Sequence, residues 1–239
     1  MRIFFITCLF LSLLGMGSAM AATEVVRLGD TEVRLVITKQ GQGGVTFIAL
    51  HENESTSVAA AKSLLGQYGG TLIELKHSGG RMVSFSQGGK RYQFDPNRIF
   101  TDAGIRKTLR TGDAEAERAV KALADTIRGK LRGTIIALHN SGNGGYSALS
   151  YRGDLAHSAA EVHLVPGADP DNFFLVTGRS TFGRLKSAGH NVVLQSGSPI
   201  DDGSLSVWAG RAGRPYVNVE AQSGRLAVQK KMIAAVLGR

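Results

Sequence analysis

Two histidines and two glutamates of this chain have the residue types that a catalytic metal site needs. His51 and Glu54 form a His-x-x-Glu pair, His139 follows much later in the chain, and Glu220 lies near its end. Two imidazoles and a carboxylate, with a fourth position left for water, are typical ligands of catalytic zinc. A His-x-x-Glu pair alone is a weak signal, because a chain of this composition contains one by chance in roughly a quarter of cases.

The strands that precede these residues strengthen the prediction. Three continuous apolar runs end at them: VTFIAL before His51 and Glu54, TIIAL before His139, and YVNV before Glu220. Helix-forming segments separate these runs, which indicates parallel strands. In open α/β sheets ligands bind beyond the carboxyl ends of such strands. We therefore expect His51, Glu54 and His139 to hold one metal ion, with Glu220 close to it.

Glu220 has an unusual environment for a carboxylate. It lies between Val219 and Ala221 in a predicted buried strand, where an unpaired negative charge is costly. Catalytic bases often occupy such positions. We predict that Glu220 is the catalytic carboxylate.

The remaining pattern alternates strands with helices. Residues 81–94 predict a hairpin, and DAEAERAVKALADTIRGKL predicts an amphipathic helix. Residues 140–168 contain many Gly, Ser and Ala and little periodicity, which predicts a long loop over the sheet edge. The whole pattern predicts a single domain over residues 22–239, an α/β fold with three layers (α/β/α) and a mostly parallel, mixed central sheet.

Asn97 and Arg98 are candidate substrate-binding residues. They lie in the segment DPNR, directly after the predicted hairpin. A planar guanidinium beside an amide suits the binding of a carboxylate through parallel hydrogen bonds.

The first 21 residues have the layout of a secretory signal peptide. Arg2 is followed by an apolar run and then by small residues up to Ala21. This run is shorter than the ~20 apolar residues of a membrane-spanning helix, so we expect no transmembrane segment and a periplasmic or secreted protein cleaved near Ala21. The single cysteine, Cys8, lies in this segment, which leaves histidines and carboxylates as metal ligands.

The chain is basic, with 28 Lys and Arg against 19 Asp and Glu and a formal net charge of +9. Such a charge draws a protein towards anionic partners, cell-wall polymers among them. The positive charge is spread along the chain, and no basic run alternates with aromatic residues. We therefore expect no nucleic-acid partner.

Four segments in order, HENE, DPNRIF, ALHNS and YVNVEAQSG, resemble signature segments of the zinc carboxypeptidase superfamily. KRYQFDPNRIF and LHNSGNGG resemble its succinylglutamate desuccinylase/aspartoacylase branch most, whereas GSLSVWAGRAGRPYVNVEAQSG resembles the closing segment of its peptidase branch. The resemblance implies a zinc carboxypeptidase-like fold. It also implies one zinc ion, held by His51, Glu54 and His139.

Further roles follow from the same resemblance. It implies that Glu220 is the general base and that Asn97 and Arg98 hold a substrate carboxylate. It also implies an arginine that polarises the scissile carbonyl: the deacylase spacing points to Arg91 and the peptidase spacing to Arg81, and we predict Arg91. The peptidases carry a substrate-facing tyrosine for which the matching stretch LQSGSPIDDGS has no counterpart.

These observations predict an exported zinc-dependent hydrolase that cleaves an amide bond in a substrate with a free carboxylate. A carboxypeptidase or amidase acting on cell-wall peptides, with peptidoglycan as partner, is the preferred form. A deacylase of small N-acyl amino acids is the alternative, favoured by the NRIF and LHN segments. A non-catalytic cell-wall binding module that keeps the fold and the positive charge is an alternative of another class.

Overall fold

The computed structural model describes residues 19–238. Most of the predicted signal peptide, residues 1–18, therefore lies outside the described residues. The first strand begins at Met20, inside the segment for which removal is predicted. None of the helices in the described part of the chain combines the length and the apolar character that crossing a bilayer requires.

The described residues contain strands and helices in the alternation that the sequence predicts. The strands are β1 (Met20–Leu28), β2 (Thr31–Gln40), β3 (Val45–Ala49), β4 (Gly70–Lys76), β5 (Val83–Gln87), β6 (Lys90–Phe94), β7 (Thr134–Ser141), β8 (Ala159–His163), β9 (Phe173–Val176), β10 (Asn191–Gln195) and β11 (Tyr216–Gln222). The helices are α1 (Ser55–Tyr68), α2 (Asp102–Leu109), α3 (Ala114–Lys130), α4 (Arg179–Ser187), α5 (Leu205–Arg211) and α6 (Leu226–Val236).

Nine strands form one sheet in the order β1-β2-β4-β3-β7-β11-β9-β10-β8, and β5 and β6 form a separate hairpin. The neighbouring pairs β3·β4, β3·β7, β7·β11 and β9·β10 are parallel. The other four pairs are antiparallel. The sheet is mixed, as predicted, but it is not mostly parallel, because the β1-β2 hairpin and β8 add antiparallel edges and β9 runs opposite to β11.

Helices cover both faces of the sheet, which gives the predicted three layers. On one face α2, α3 and α5 pack with the β5-β6 hairpin, and on the other face α1, α4 and α6 pack together. Successive strand residues point to opposite faces, so Ile135 and Ala137 enter the first core while Ile136 and Leu138 enter the second. This two-sided burial explains the continuous apolar runs of the central strands.

Two segments differ from the prediction. Helix α2 was not predicted from the residue pattern. It begins after Thr101, whose side chain accepts a hydrogen bond from the backbone N–H of Gly104 at 3.0 Å. Residues 140–168 are not one loop: they contain the end of β7, two short 3-10 helices and the edge strand β8. Among the strands of residues 19–238, β8 pairs only with β10 and stays partly exposed, so its sequence lacks the apolar run of a buried strand.

Gly104 and Gly203 permit a close contact between α2, the loop before α5 and the backbone of Arg98. A Cβ atom at Gly104 would lie 2.2 Å from the Cα atom of Gly203 and 2.6 Å from the carbonyl oxygen of Arg98. Gly203 also has a φ of +77°, which a residue with a side chain adopts only with strain. The two glycines therefore fix the position of Arg98 relative to α2 and α5.

We expect Gly104→Ala to lower the free energy of unfolding by roughly 1–3 kcal/mol, because the added methyl group meets backbone atoms that cannot rotate away. Gly129→Ala is the matched control. Gly129 lies in α3, and a Cβ atom there meets nothing within 4 Å. The free energy of unfolding of this variant should therefore rise by about 0.4–1 kcal/mol. Denaturant unfolding of both variants measures the difference. Equal stability of Gly104→Ala and the parent protein would contradict the close contact.

Candidate metal centre

The candidate site lies where three neighbouring parallel strands end. β3, β7 and β11 are adjacent in the sheet, His51 follows β3, and His139 and Glu220 lie in β7 and β11 at opposite positions of the register. Glu54 comes directly before α1, and its backbone N–H donates to the carbonyl oxygen of His51 at 3.2 Å. This turn brings the side chains of His51 and Glu54 to the same side.

Glu54 lies between the two imidazoles. Its Oε1 is 2.9 Å from Nδ1 of His51 and its Oε2 is 3.0 Å from Nδ1 of His139. One ligand atom from each of the three residues lies within 4.8 Å of the others, and all three residues are buried. Two imidazole nitrogens and a carboxylate that face one point are a donor set that fits zinc.

Asp95 orients His51 from the side away from Glu54. Its Oδ1 is 2.8 Å from Nε2 of His51, and it also accepts a hydrogen bond from the backbone N–H of Asn97 at 2.8 Å. Carboxylates commonly hold metal-binding histidines in this way and fix the tautomer. Sequence reasoning gave Asp95 no role, because only the folded chain brings residues 51 and 95 together.

The charges of this cluster are mutually dependent. Burial would raise the pKa of Glu54, but the charge and hydrogen bond of His139, with those of His51, lower it to about 2. Burial would also raise the pKa of Asp95, but the hydrogen bond and charge of His51 hold it well below its usual value. His51 shows the reverse: burial would lower its pKa, but the hydrogen bonds to Asp95 and Glu54 raise it. The carboxylates of the buried Glu54 and the partly buried Asp95 are thus kept as anions, which attracts cations to this point.

A cavity of about 440 Å³ opens beside this cluster. Five of the candidate site residues predicted from the sequence line this cavity: Glu54, Asn97, Arg98, His139 and Glu220. Glu220 is buried, and its Oε2 accepts a hydrogen bond from the amide nitrogen of Asn218 at 3.3 Å. Burial is the largest influence on Glu220 and, together with the charge of Glu54, raises its pKa to about 7 against the opposing charge of His139.

The position of Arg91 does not suit the role that the sequence analysis predicted for it. Arg91 is exposed in β6 and lines a different cavity, because Tyr92 and Phe94 of the same strand point into the core and alternation turns Arg91 outward. Arg81, the alternative from the peptidase spacing, lines the cavity beside Glu54 and His139 instead. Its guanidinium is 2.9 Å from Oε1 of Glu54 and 3.4 Å from Oδ2 of Asp95.

Asn97 and Arg98 both line the cavity and are also tied to neighbouring elements. Oδ1 of Asn97 accepts a hydrogen bond from the backbone N–H of Leu205 at 3.1 Å, which joins it to the start of α5. The guanidinium of Arg98 donates to the carbonyl oxygen of Asn97 at 3.0 Å and forms an ion pair with Asp202 at 3.4 Å. The amide nitrogen of Asn97 also lies 3.5 Å from Nε2 of His139, which uses one of its two hydrogens. The other amide hydrogen of Asn97 and part of the Arg98 guanidinium remain for a ligand.

Glu52 supports the loop that carries Arg81. Its Oε2 accepts hydrogen bonds from three successive backbone N–H groups, those of His77, Ser78 and Gly79, at 2.7, 3.0 and 2.7 Å. Consecutive N–H groups that converge in this way form an anion-binding concavity. Glu52 had no predicted role. Its position within HENE, one residue after His51, is the one feature of the sequence that pointed to the site.

Tyrosines form much of the remaining cavity wall. Tyr146 and Tyr151 come from residues 140–168 and Tyr216 from β11. The hydroxyl groups of Tyr146 and Tyr151 are hydrogen-bonded to each other, and burial raises the pKa of Tyr151 to about 12. Residues 140–168 therefore supply hydroxyl groups to the cavity, although LQSGSPIDDGS has no tyrosine.

Comparison with known proteins finds no matching family model and no matching curated protein. Among solved structures, an aspartoacylase family protein from Mesorhizobium loti aligns at 15% identity and a TM-score of 0.47, covering 94% of this chain and 67% of that chain. Thrombin activatable fibrinolysis inhibitor aligns at 12% identity and a TM-score of 0.48, covering 95% of this chain and 73% of that chain. At these identities and TM-scores neither similarity assigns a role to a residue, and the function proposed below rests on the geometry of the site.

We expect Asp95→Asn to weaken zinc binding by about 10- to 100-fold, because the amide orients His51 less firmly than the carboxylate. Competition with a chromophoric chelator measures the affinity. The control is Asp154→Asn, which makes the same change at an exposed residue outside the cavity and should bind zinc as the parent protein does. An unchanged affinity of Asp95→Asn would show that Asp95 does not orient the ligand.

Proposed function

We propose that this protein is a zinc-dependent hydrolase that cleaves an amide bond in a substrate with a free carboxylate. The observation that carries the proposal is the convergence of His51, Glu54 and His139 beside a cavity that also contains the buried Glu220. These three ligands would hold the zinc ion. When bound, zinc supplies a Lewis acid that polarises a carbonyl group and makes a water molecule more acidic.

Glu220 acts as general base and then as general acid. Its carboxylate takes a proton from the attacking water and passes this proton to the leaving amine. A pKa raised to about 7 by burial suits a group that gains and loses a proton near neutral pH. The hydrogen bond from Asn218 keeps the carboxylate directed within the cavity.

Arg81 stabilises the negative charge that develops on the carbonyl oxygen. Its guanidinium reaches the Glu54 carboxylate in the cavity, so it lies beside the place where the reaction occurs. A fixed positive group that stabilises a developing oxyanion is often a large contribution to catalysis. Arg81 thus takes the role that the sequence analysis gave to Arg91.

Asn97 and Arg98 bind the free carboxylate of the substrate. An arginine binds a carboxylate through two parallel, charge-assisted hydrogen bonds, and the amide nitrogen of Asn97 adds a donor. Both residues lie on the same short 3-10 helix, Pro96–Arg98, and Gly104 and Gly203 fix its backbone. A substrate held there presents its adjacent amide bond to Glu220 in the same cavity.

Peptides of the bacterial cell wall are the substrates that we favour. The proposal draws on the signal-peptide pattern of residues 1–21 and on the net charge of +9, which suit an exported protein near anionic polymers. A deacylase of small N-acyl amino acids is the second candidate, favoured by the cavity volume of about 440 Å³, which is in the range of small-molecule sites.

We expect Glu220→Gln to retain stoichiometric zinc and to lose turnover by about 10²- to 10⁴-fold, because the amide cannot accept the proton of the water. Elemental analysis and initial rates give the two measurements. The control is Glu161→Gln in the partly exposed edge strand β8, which should keep both zinc and turnover. Normal turnover of Glu220→Gln would rule out Glu220 as the base.

The substrate class is tested with three sets of compounds: muropeptides with a free carboxylate, the same peptides amidated at that carboxylate, and N-acyl amino acids, each with and without a chelator. Cleavage of the free muropeptides alone supports the peptidase. Cleavage of the N-acyl amino acids alone supports the deacylase. A protein that contains no stoichiometric zinc and cleaves none of these compounds would be a binding module.

We expect Arg81→Gln to lower kcat by about 10²- to 10³-fold, because the oxyanion loses a positive partner. Arg34→Gln removes an exposed arginine of β2 and serves as the charge-matched control with unchanged kcat. Zinc content is measured in parallel, since Arg81 also contacts Glu54. A kcat of Arg81→Gln equal to that of the control would remove Arg81 from the mechanism.

A further inference from the structure

A second cavity adjoins the catalytic cavity at Arg98 and Asp202, which line both. It has a volume of about 610 Å³. Residues 91–93 of β6 form one wall and residues 107–110, at the end of α2, form another. We call this cavity the β6–α2 groove.

Positive charge in the β6–α2 groove is not balanced by acidic groups. Arg91, Lys107 and Arg110 line it, and within residues 19–238 none of their side chains forms an ion pair or a hydrogen bond. The two acidic residues of the groove are engaged elsewhere: Asp95 contacts His51 and Arg81, and Asp202 pairs with Arg98 and accepts from Ser204 N–H. Three free cations therefore face one concave surface.

Arg110 supplies a second, independent observation. It is the only non-glycine residue with a positive φ, 53°, among the described residues, and it ends α2 in the left-handed conformation. Glycine or asparagine usually takes this position, because a larger side chain is strained there. An arginine at this point keeps a positive charge on the groove wall at a cost in backbone energy.

The groove is held in shape by a contact with the candidate site. The backbone N–H of Asp95 donates to Oγ1 of Thr108 at 2.9 Å, which ties the end of β6 to α2. The residue that orients His51 is thus also part of the groove. A ligand that binds Arg98 lies beside the groove, because Arg98 lines both cavities.

We propose that the β6–α2 groove binds a second anionic group of the substrate, a carboxylate or a phosphate. This inference rests on the proposed function, in which Arg98 binds the first carboxylate. Guanidinium and ammonium groups are the protein's natural partners for both anions. Substrates with a second negative charge beyond the first carboxylate are thereby favoured over substrates with one.

The binding test uses three labelled hexapeptides, all amidated at the carboxyl end: hexaglutamate, a peptide of alternating phosphoserine and serine whose total charge is close to that of hexaglutamate, and the neutral hexaglutamine. Fluorescence anisotropy measures their Kd for the zinc-loaded full chain in low-salt buffer. We expect both anionic peptides to bind and the neutral one not to bind. The tighter of the two anionic peptides identifies carboxylate or phosphate as the preferred group, and either result supports the groove.

The triple variant Arg91→Gln/Lys107→Gln/Arg110→Asn should raise the Kd of the anionic peptides at least about tenfold. Asparagine is used at residue 110 because it tolerates a positive φ. The control Arg118→Gln/Arg225→Gln/Lys231→Gln removes the same charge from exposed sites outside the groove and should change the Kd less than about twofold. Arg91→Gln and Lys107→Gln alone serve as milder variants, with smaller increases in the same direction.

Equal binding of the anionic peptides to the triple variant and to the control would overturn the proposal. In hydrolysis assays, the triple variant should raise KM for substrates with two anionic groups and leave kcat unchanged. Loss of peptide binding without any hydrolysis by the parent protein would leave the groove in place and refute the proposed function. Hydrolysis by the parent protein, with no effect of the triple variant on Kd or KM, would refute the groove and leave the proposed function in place.

Discussion

The burial of the Glu54 carboxylate between two imidazoles is the interaction on which the site depends. A negative charge removed from water is stable only with positive partners, and His51, His139 and Arg81 all reach this carboxylate. Charge pairing continues around this carboxylate. Asp95 contacts His51, and the guanidinium of Arg81 contacts the carboxylates of both Glu54 and Asp95. A zinc ion would satisfy this charge directly. The donor set is therefore both a structural requirement of the buried cluster and the basis of its proposed chemistry.

The sheet places this charge cluster without exposing the core. β3, β7 and β11 are parallel neighbours, and helices cover both faces. The polar side chains of the site lie towards the carboxyl ends of these strands, at the boundary between the apolar core and the cavity. Glu220 lies at this boundary, close enough to the apolar layer for burial to raise its pKa and close enough to the cavity to meet a ligand. The same packing thus gives the proposed base a pKa raised to about 7.

The outer parts of the site come from segments that lie between the strands. Glu52 holds the loop that leads to Arg81, and the contact of Gly104 with Gly203 holds Arg98. Arg98 lines both the cavity beside Glu54 and the β6–α2 groove. The proposed carboxylate contact and the proposed second anion site therefore meet at the same short 3-10 helix.

The sequence by itself determined the layered fold and the positions of His51, Glu54, His139 and the buried Glu220 at strand ends, because strand periodicity and strand ends are local properties of the chain. Tertiary structure decided which arginine faces the cavity: the spacing allowed Arg81 or Arg91, and the packing of Tyr92 and Phe94 into the core turned Arg91 outward. It also decided the antiparallel edges, the contact of Asp95 with His51, and the tyrosines of residues 140–168. These features depend on contacts between distant segments, which no local pattern of residues records.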